Sequence, residues 1–244
     1  MTSRCDAHTA YNERPHVVQV RCVSYPYPLV VFDLDGTLVD SAADIAEALN
    51  RTLEDIGLAR VPEATVLGWI GDGVRRLVEQ AVHAAGRQVD LAEVMPVFMV
   101  HYRECLLRSP RLFDGVAEAL AQLRERAVPL AICTNKPVAL VPPLLQHLGI
   151  GDAFALVLGG DSLPQRKPSG EPLRHIAAHF GLPVNACLMV GDSLTDYRAA
   201  EDAGMPIALV RYGYPRGLDL ATAAAVAVID DLRELPGLAA RIPV

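Results

Sequence analysis

Two aspartates separated by a single residue, Asp33 and Asp35, stand in the run Asp33-Leu34-Asp35-Gly36-Thr37, directly after the short apolar stretch Leu29-Val30-Val31-Phe32. In an extended chain residues two apart project to the same side. That spacing suits a division of labour in which one carboxylate is a nucleophile and the other gives and takes protons. Three more apolar stretches end in residues of similar promise. Pro129–Cys133 leads into Thr134-Asn135-Lys136, Phe154–Leu158 into a loop that begins Gly159-Gly160 and ends Lys167-Pro168, and Ala186–Val190 into Gly191-Asp192-Ser193-Leu194-Thr195-Asp196. Singly, each has an ordinary explanation, since Asp-Gly is a common turn and Asp192-Ser193 can cap a helix. Together they set Asp33, Asp35, Asp192 and Asp196 at the same edge of one sheet. Carboxylates that converge repel one another unless positive charge joins them. Oxygen donors with no nearby His or Cys favour Mg²⁺ as that charge. A carboxylate attacking phosphorus builds charge on the equatorial oxygens, which Mg²⁺, the Lys167 ammonium, the Thr134 hydroxyl and the Asn135 amide would stabilise.

Such convergence requires elements that bring the stretch ends together. Leu29–Phe32 is too short for a helix and reads as a buried parallel strand. Helical spacing of Ile45, Leu49, Leu53 and Ile56 predicts a helix over 42–56, begun by a capping box at Ser41 and Asp44 and stopped by Gly57. Helices over 63–69, 73–85 and 90–107 follow without a strand between them. From Asp114 onward the texture alternates: helices over 115–126, 138–148, 170–180 and 195–203 interleave with the apolar stretches and with Ile207–Val210. A last strand, Val226–Ile229, and a short helix close the chain. This pattern predicts an α/β fold, a doubly wound parallel Rossmann-like sheet with an inserted all-helical cap domain. Residues 1–28 form an N-terminal tail, 29–40 and 112–244 the catalytic core, and 41–111 the cap. Ligands of such sheets bind beyond the carboxyl ends of the strands, where these motifs fall.

Composition narrows the function further. The 244 residues are 51% hydrophobic and 21% charged, enough for a sizeable core and too apolar for disorder. A net charge of −7 without a long basic run excludes a nucleic-acid footprint. No segment has the roughly 20 apolar residues of a membrane span, and the first 28 residues do not make a signal peptide. Five scattered cysteines without a C-x-x-C pair argue for a reducing cytoplasm. Of 22 basic residues only Lys136 and Lys167 are lysine, and each precedes a proline. A compact ammonium fits where a guanidinium fork is too large, so neither lysine reads as ordinary surface charge.

The four motifs Asp33-Leu34-Asp35-Gly36-Thr37, Thr134-Asn135, Lys167-Pro168 and Gly191-Asp192-x-x-x-Asp196 resemble the ordered motifs of the haloacid dehalogenase-like hydrolase superfamily, over about residues 29–230. The resemblance implies Asp33 as the nucleophile that becomes an aspartyl phosphate and Asp35 as the general acid and base. It implies Thr134 and Asn135 as phosphate-binding residues, with Lys167 holding the phosphoryl group and orienting Asp33. Mg²⁺ would be held by Asp33, the backbone carbonyl of Asp35, and Asp192, with Asp196 in support. The dehalogenases of the superfamily lack an acid at position 35, so Asp35 points to phosphoryl transfer. Leu38-Val39-Asp40-Ser41, Trp69-Ile70-Gly71-Asp72-Gly73, Thr134-Asn135-Lys136-Pro137, Gly159-Gly160-Asp161-Ser162-Leu163-Pro164 and Tyr212-Gly213-Tyr214 are similar to stretches of the bacterial phosphoglycolate phosphatase family. The third motif departs slightly, since Lys167-Pro168-Ser169-Gly170 lacks a further proline two positions on.

Substrate choice is expected in the cap. Gly71, Arg75 and Lys136 are candidate substrate-binding residues, with Asp72 as N-cap of the helix that carries Arg75 and Arg76. Trp69 and the helical histidines read as structural. The expected partner is a small phosphorylated metabolite such as 2-phosphoglycolate, acted on by a cytoplasmic monomer or homodimer that binds neither nucleic acid nor membrane. Competing readings are a sugar-phosphate phosphatase, pyrophosphatase or phosphomutase of the same superfamily, and a non-catalytic regulatory protein with the same fold.

Overall fold

The computed structural model describes residues 25–238. Six parallel strands form one sheet in the order β5-β4-β1-β6-β7-β8: Leu156–Leu158, Leu130–Cys133, Val30–Phe32, Leu188–Gly191, Ile207–Val210 and Ala227–Ile229. Strand β1 lies between β4 and β6, with Val30 level with both Leu130 and Leu188. The continuous apolar runs follow from burial on both faces. Val30 and Phe32 join one core while Leu29 and Val31 join the other, as the period of two requires. The first core is closed by α5 (Val116–Glu125) and α6 (Val141–His147), the second by α7 (Glu171–His179) and α8 (Leu194–Ala203). The expected α/β architecture is present.

Between β1 and α5 the chain makes a helical insertion: α1 (Ala42–Asp55), α2 (Glu63–Leu67), α3 (Val74–Ala84) and α4 (Leu91–Cys105). Its exit and return are paired. Strand β2 (Val39–Asp40) runs antiparallel to β3 (Arg111–Leu112), and the Arg111 guanidinium meets Asp40 at 2.8 Å. Two residues per strand carry no readable alternation, so this small ladder has no signal in the sequence. Within the insertion, Asn50 at the buried face of α1 bonds both the N–H and the C=O of Val61, fixing the turn to α2.

Three local expectations need correction. Residues 1–24 of the expected tail lie outside the described residues, but Tyr25 and Tyr27 are buried in the first core, edge to face with each other, so packed chain begins before residue 29. Ser41 does not cap α1; its hydroxyl donates to Asp35 Oδ1 at 2.6 Å, and Asp44 instead accepts from the backbone and hydroxyl of Ser109. Asp72 does not cap α3 either, because Gly73 intervenes at φ +90° and turns the chain away. In both places a partner outside the helix outcompetes the local cap.

Candidate active site

At the carboxyl ends of β1 and β6, three aspartates come together. A carboxylate oxygen from each of Asp33, Asp192 and Asp196 lies within 4.8 Å of the others, and all three residues are buried. They arrive from neighbouring strands: the Asp33 N–H continues the sheet by donating to Val190, and Asp192 follows β6 directly. Asp196 sits in the first turn of α8, where it and Ser193 form a reciprocal capping box. Thr37 donates to Asp192 Oδ1 at 2.7 Å and the Tyr214 N–H to its Oδ2 at 2.6 Å, so the side chain is held in one orientation. That grip leaves no room for a Cβ at Gly36 or Gly213, where one would stand 2.3 Å from an atom of the Asp192 side chain.

Lys167 enters this cluster from the loop after β5. Its ammonium lies 2.8 Å from Asp33 Oδ1 and 2.6 Å from Asp196 Oδ1, and the residue is only 2% exposed. Burial alone would depress the ammonium, but Asp196 and Asp33 outweigh it and hold it above the usual lysine range. One cation does not balance three buried carboxylates. Burial, then repulsion from Asp196, pushes the Asp33 carboxyl up to about 7 against the pull of Lys167. Burial together with Asp196 and Asp33 raises Asp192 well above the carboxylate range. Excess negative charge on an all-oxygen donor set, with Asp192 already braced from two sides, fits a hard divalent cation.

The other expected site residues divide. Thr134 is buried at the end of β4, and its hydroxyl accepts the Lys136 N–H at 3.2 Å. The Asn135 side-chain amide is spent on structure: it donates to the carbonyls of Gly71 and Lys167, each at 2.8 Å, tying insertion and core loop together. Asp35 turns away from the three aspartates toward Ser41 and Lys136. A cavity of about 30 Å³ lies beside them, lined by Asp33, Asp35, Thr134, Gly71 and Lys136 among others. Arg75 is not brought into it. Its side chain is 59% exposed, pairs with Glu79 and lines an outer cleft with Arg76, Arg166 and Lys167.

Asp72 instead joins insertion to core. It accepts from the Thr195 hydroxyl at 2.7 Å and pairs with Arg216 at 2.5 Å, both from segments around Asp192. Sequence reasoning also missed Tyr102, fully buried on α4, whose hydroxyl is 2.5 Å from Lys136 Nζ. Nothing local could have marked it, since its partner lies 34 residues away.

The fold and these motif positions define a class. The chain belongs to the haloacid dehalogenase-like hydrolase family, which it matches over residues 27–204. It is 43% identical over 218 residues to the plasmid-borne phosphoglycolate phosphatase of Cupriavidus necator, spanning 88% of this chain and 94% of that one. With the phosphoglycolate phosphatase of Yersinia pseudotuberculosis it shares 40% identity over 209 residues, 84% of this chain and 90% of the other. The crystal structure of a predicted phosphoglycolate phosphatase from Haemophilus somnus superposes with a TM-score of 0.81 at 35% identity, covering 86% of this chain and 96% of that chain. Among the described residues no helix is long and apolar enough to cross a membrane.

Proposed function

We propose that the chain is a Mg²⁺-dependent phosphatase that hydrolyses 2-phosphoglycolate to glycolate and phosphate through an aspartyl phosphate on Asp33. The observation that carries the reading is the Lys167 ammonium set between Asp33 and Asp196 beside a third buried carboxylate. A binding module needs no buried nucleophile with a fixed cation against it. The identity to phosphatases of this name over most of the chain supports the choice of substrate.

In the first step an Asp33 oxygen attacks phosphorus while the ester P–O bond breaks, and the departing glycolate oxygen takes a proton from the Asp35 carboxyl. In the second, Asp35 takes a proton from water, the water oxygen forms the new P–O bond, and the bond to Asp33 breaks. The Thr134 hydroxyl and the Lys167 ammonium hold the phosphoryl oxygens, and Lys167 keeps Asp33 in line. Mg²⁺, held by Asp33, Asp192 and the Asp35 carbonyl with Asp196 in support, would supply positive charge against the equatorial oxygens. Asp196 suits support more than ligation, since Lys167 and Ser193 already occupy its two oxygens. The helical insertion acts as a cap that shuts the site from water, held shut by Asp72. Buried free thiols at Cys105, Cys133 and Cys187 suit a reducing cytoplasm.

Phosphate release measured across a dozen phosphate monoesters should be fastest per mole of enzyme with 2-phosphoglycolate. It should cease on chelation with EDTA and return when Mg²⁺ is restored. Equal turnover of the panel, or turnover that survives chelation, contradicts the reading. Transfer of the phosphoryl group to a bound sugar without release of phosphate would favour a phosphomutase.

A further inference from the structure

Lys136 is the second of the chain's two lysines, and the phosphoryl chemistry above does not use it. Its side chain is wholly buried, yet it borders the cavity beside Asp33 and Asp35, where it is the one cation among the lining residues. The opposite walls are apolar: Ile45 and Ile70, then Val74 and Leu77 of α3, all from the insertion. Two groups hold the ammonium. Asp35 receives it at 2.9 and 3.2 Å, and Tyr102 meets it at 2.5 Å with the oxygen while its ring centroid lies 4.8 Å away. Burial works against the charge, but Asp35 and Tyr102 keep it protonated and above the usual lysine range.

The position of this cation relates to the leaving group. Asp35 works at the ester oxygen, and the ammonium that touches Asp35 therefore stands next to whatever the ester oxygen carries. In an O–CH₂–COO⁻ ester the carboxylate follows one carbon later. A carboxylate entering a dry cavity needs a cation that is already fixed, since assembling one there costs the desolvation of both charges. We propose that Lys136 and Tyr102 form the specificity subsite: the ammonium, fixed by a tyrosine hydroxyl that only the seated cap delivers, receives the carboxylate of the substrate. In taking the carboxylate it loosens its hold on Asp35 and frees that side chain for the ester oxygen. Lys136 touches substrate; Tyr102 is a positioning residue that acts through it. This assignment rests on the proposed phosphatase reading and adds its ligand chemistry: small phosphate esters with a carboxylate on the carbon next to the ester oxygen.

The test compares kcat/KM for 2-phosphoglycolate with that for ethyl phosphate, which replaces the carboxylate by a methyl group. The wild-type ratio should be about 10²-fold or more, as a site built around a fixed polar partner rejects the analogue that lacks it. Lys136→Met should bring the ratio within about tenfold of unity, by loss of a buried charge pair. Tyr102→Phe, which removes one oxygen and keeps the ring, should lower it about five- to tenfold. A merely structural role would slow both esters alike and leave the ratio standing. Unchanged ratios in both variants overturn the subsite. If Lys136→Met does not fold, the Tyr102→Phe ratio alone decides. A wild-type ratio near one instead overturns the substrate reading on which the subsite rests, so the two failures are distinct.

Discussion

Asp33→Asn should lose phosphate release by roughly 10⁴-fold or more, the scale on which an enzyme loses its covalent nucleophile. The same variant should fold at least as well as the parent. In the folded chain burial and Asp196 push the Asp33 carboxyl up to about 7, so its ionised form opposes folding once the pH exceeds the carboxylate range of the unfolded chain. A neutral amide of the same shape removes that opposition, while Lys167 keeps its 2.6 Å contact with Asp196. The expected result is an inactive enzyme whose melting temperature without metal equals or exceeds that of the parent, read by calorimetry beside a phosphate assay. Loss of activity through unfolding would lower both together. Substantial residual turnover in a folded variant would remove Asp33 from the chemistry.

Lys167→Met acts in the opposite sense on stability. Here the cation departs and Asp33 and Asp196 remain facing each other in a buried site. Removing one partner of a buried ion pair costs about 3–5 kcal/mol, because the other charge stays desolvated and unpaired. The variant should therefore melt lower than the parent at neutral pH, and it should recover more stability on addition of Mg²⁺, since the ion then carries the only positive charge against the cluster. Activity should fall by about 10²–10³-fold, the scale of losing one fixed stabiliser of transition-state charge. Lys167→Arg should not rescue it, because the planar fork does not fit a space in which a single nitrogen reaches two carboxylates. Full activity in either variant would reduce Lys167 to a packing residue.

The contrast between these two residues shows why parts of the site can be read from sequence. Apolar strands that end abruptly in Asp33, Thr134 and Asp192 announce themselves because both sheet faces are buried, which leaves polar residues only at the edge. Lys167 was legible for another reason: in a chain that otherwise uses arginine, a lysine marks a place where size matters. Where a local reading fails, a site or core partner takes over a residue with an ordinary local role. Ser41 and Asp72 have the sequence context of helix caps, but Asp35, and Thr195 with Arg216, bind them instead. The side-chain amide of Asn135 ties the carbonyl of Gly71 to that of Lys167, a link that no local pattern shows. Arg75, in the first turn of α3, pairs with Glu79 and lines an outer cleft that Lys167 also borders, which its sequence position does not reveal. Tyr102 has no local signature at all, because only the packing of the insertion onto the core brings α4 to Lys136.

Under the proposed function, catalysis is a property of the core and substrate choice a property of the seam. Residues of the insertion contribute the apolar wall and the Tyr102 hydroxyl, whereas Asp33, Thr134, Lys167, Asp192 and Asp196 all belong to the core. Asn135 and Asp72 each cross that seam, one from each side.

A covalent phosphoryl group on Asp33 is tested most directly by trapping it. The enzyme with Mg²⁺ would be mixed with 2-phosphoglycolate for milliseconds, quenched in acid, reduced with borohydride and digested. Reduction converts an acyl phosphate of aspartate to homoserine, which mass spectrometry locates in the peptide. Homoserine is expected at position 33, dependent on substrate and on Mg²⁺. Homoserine at 35 or 192, or none at any position while phosphate is released at the full rate, would contradict a phosphoryl group on Asp33.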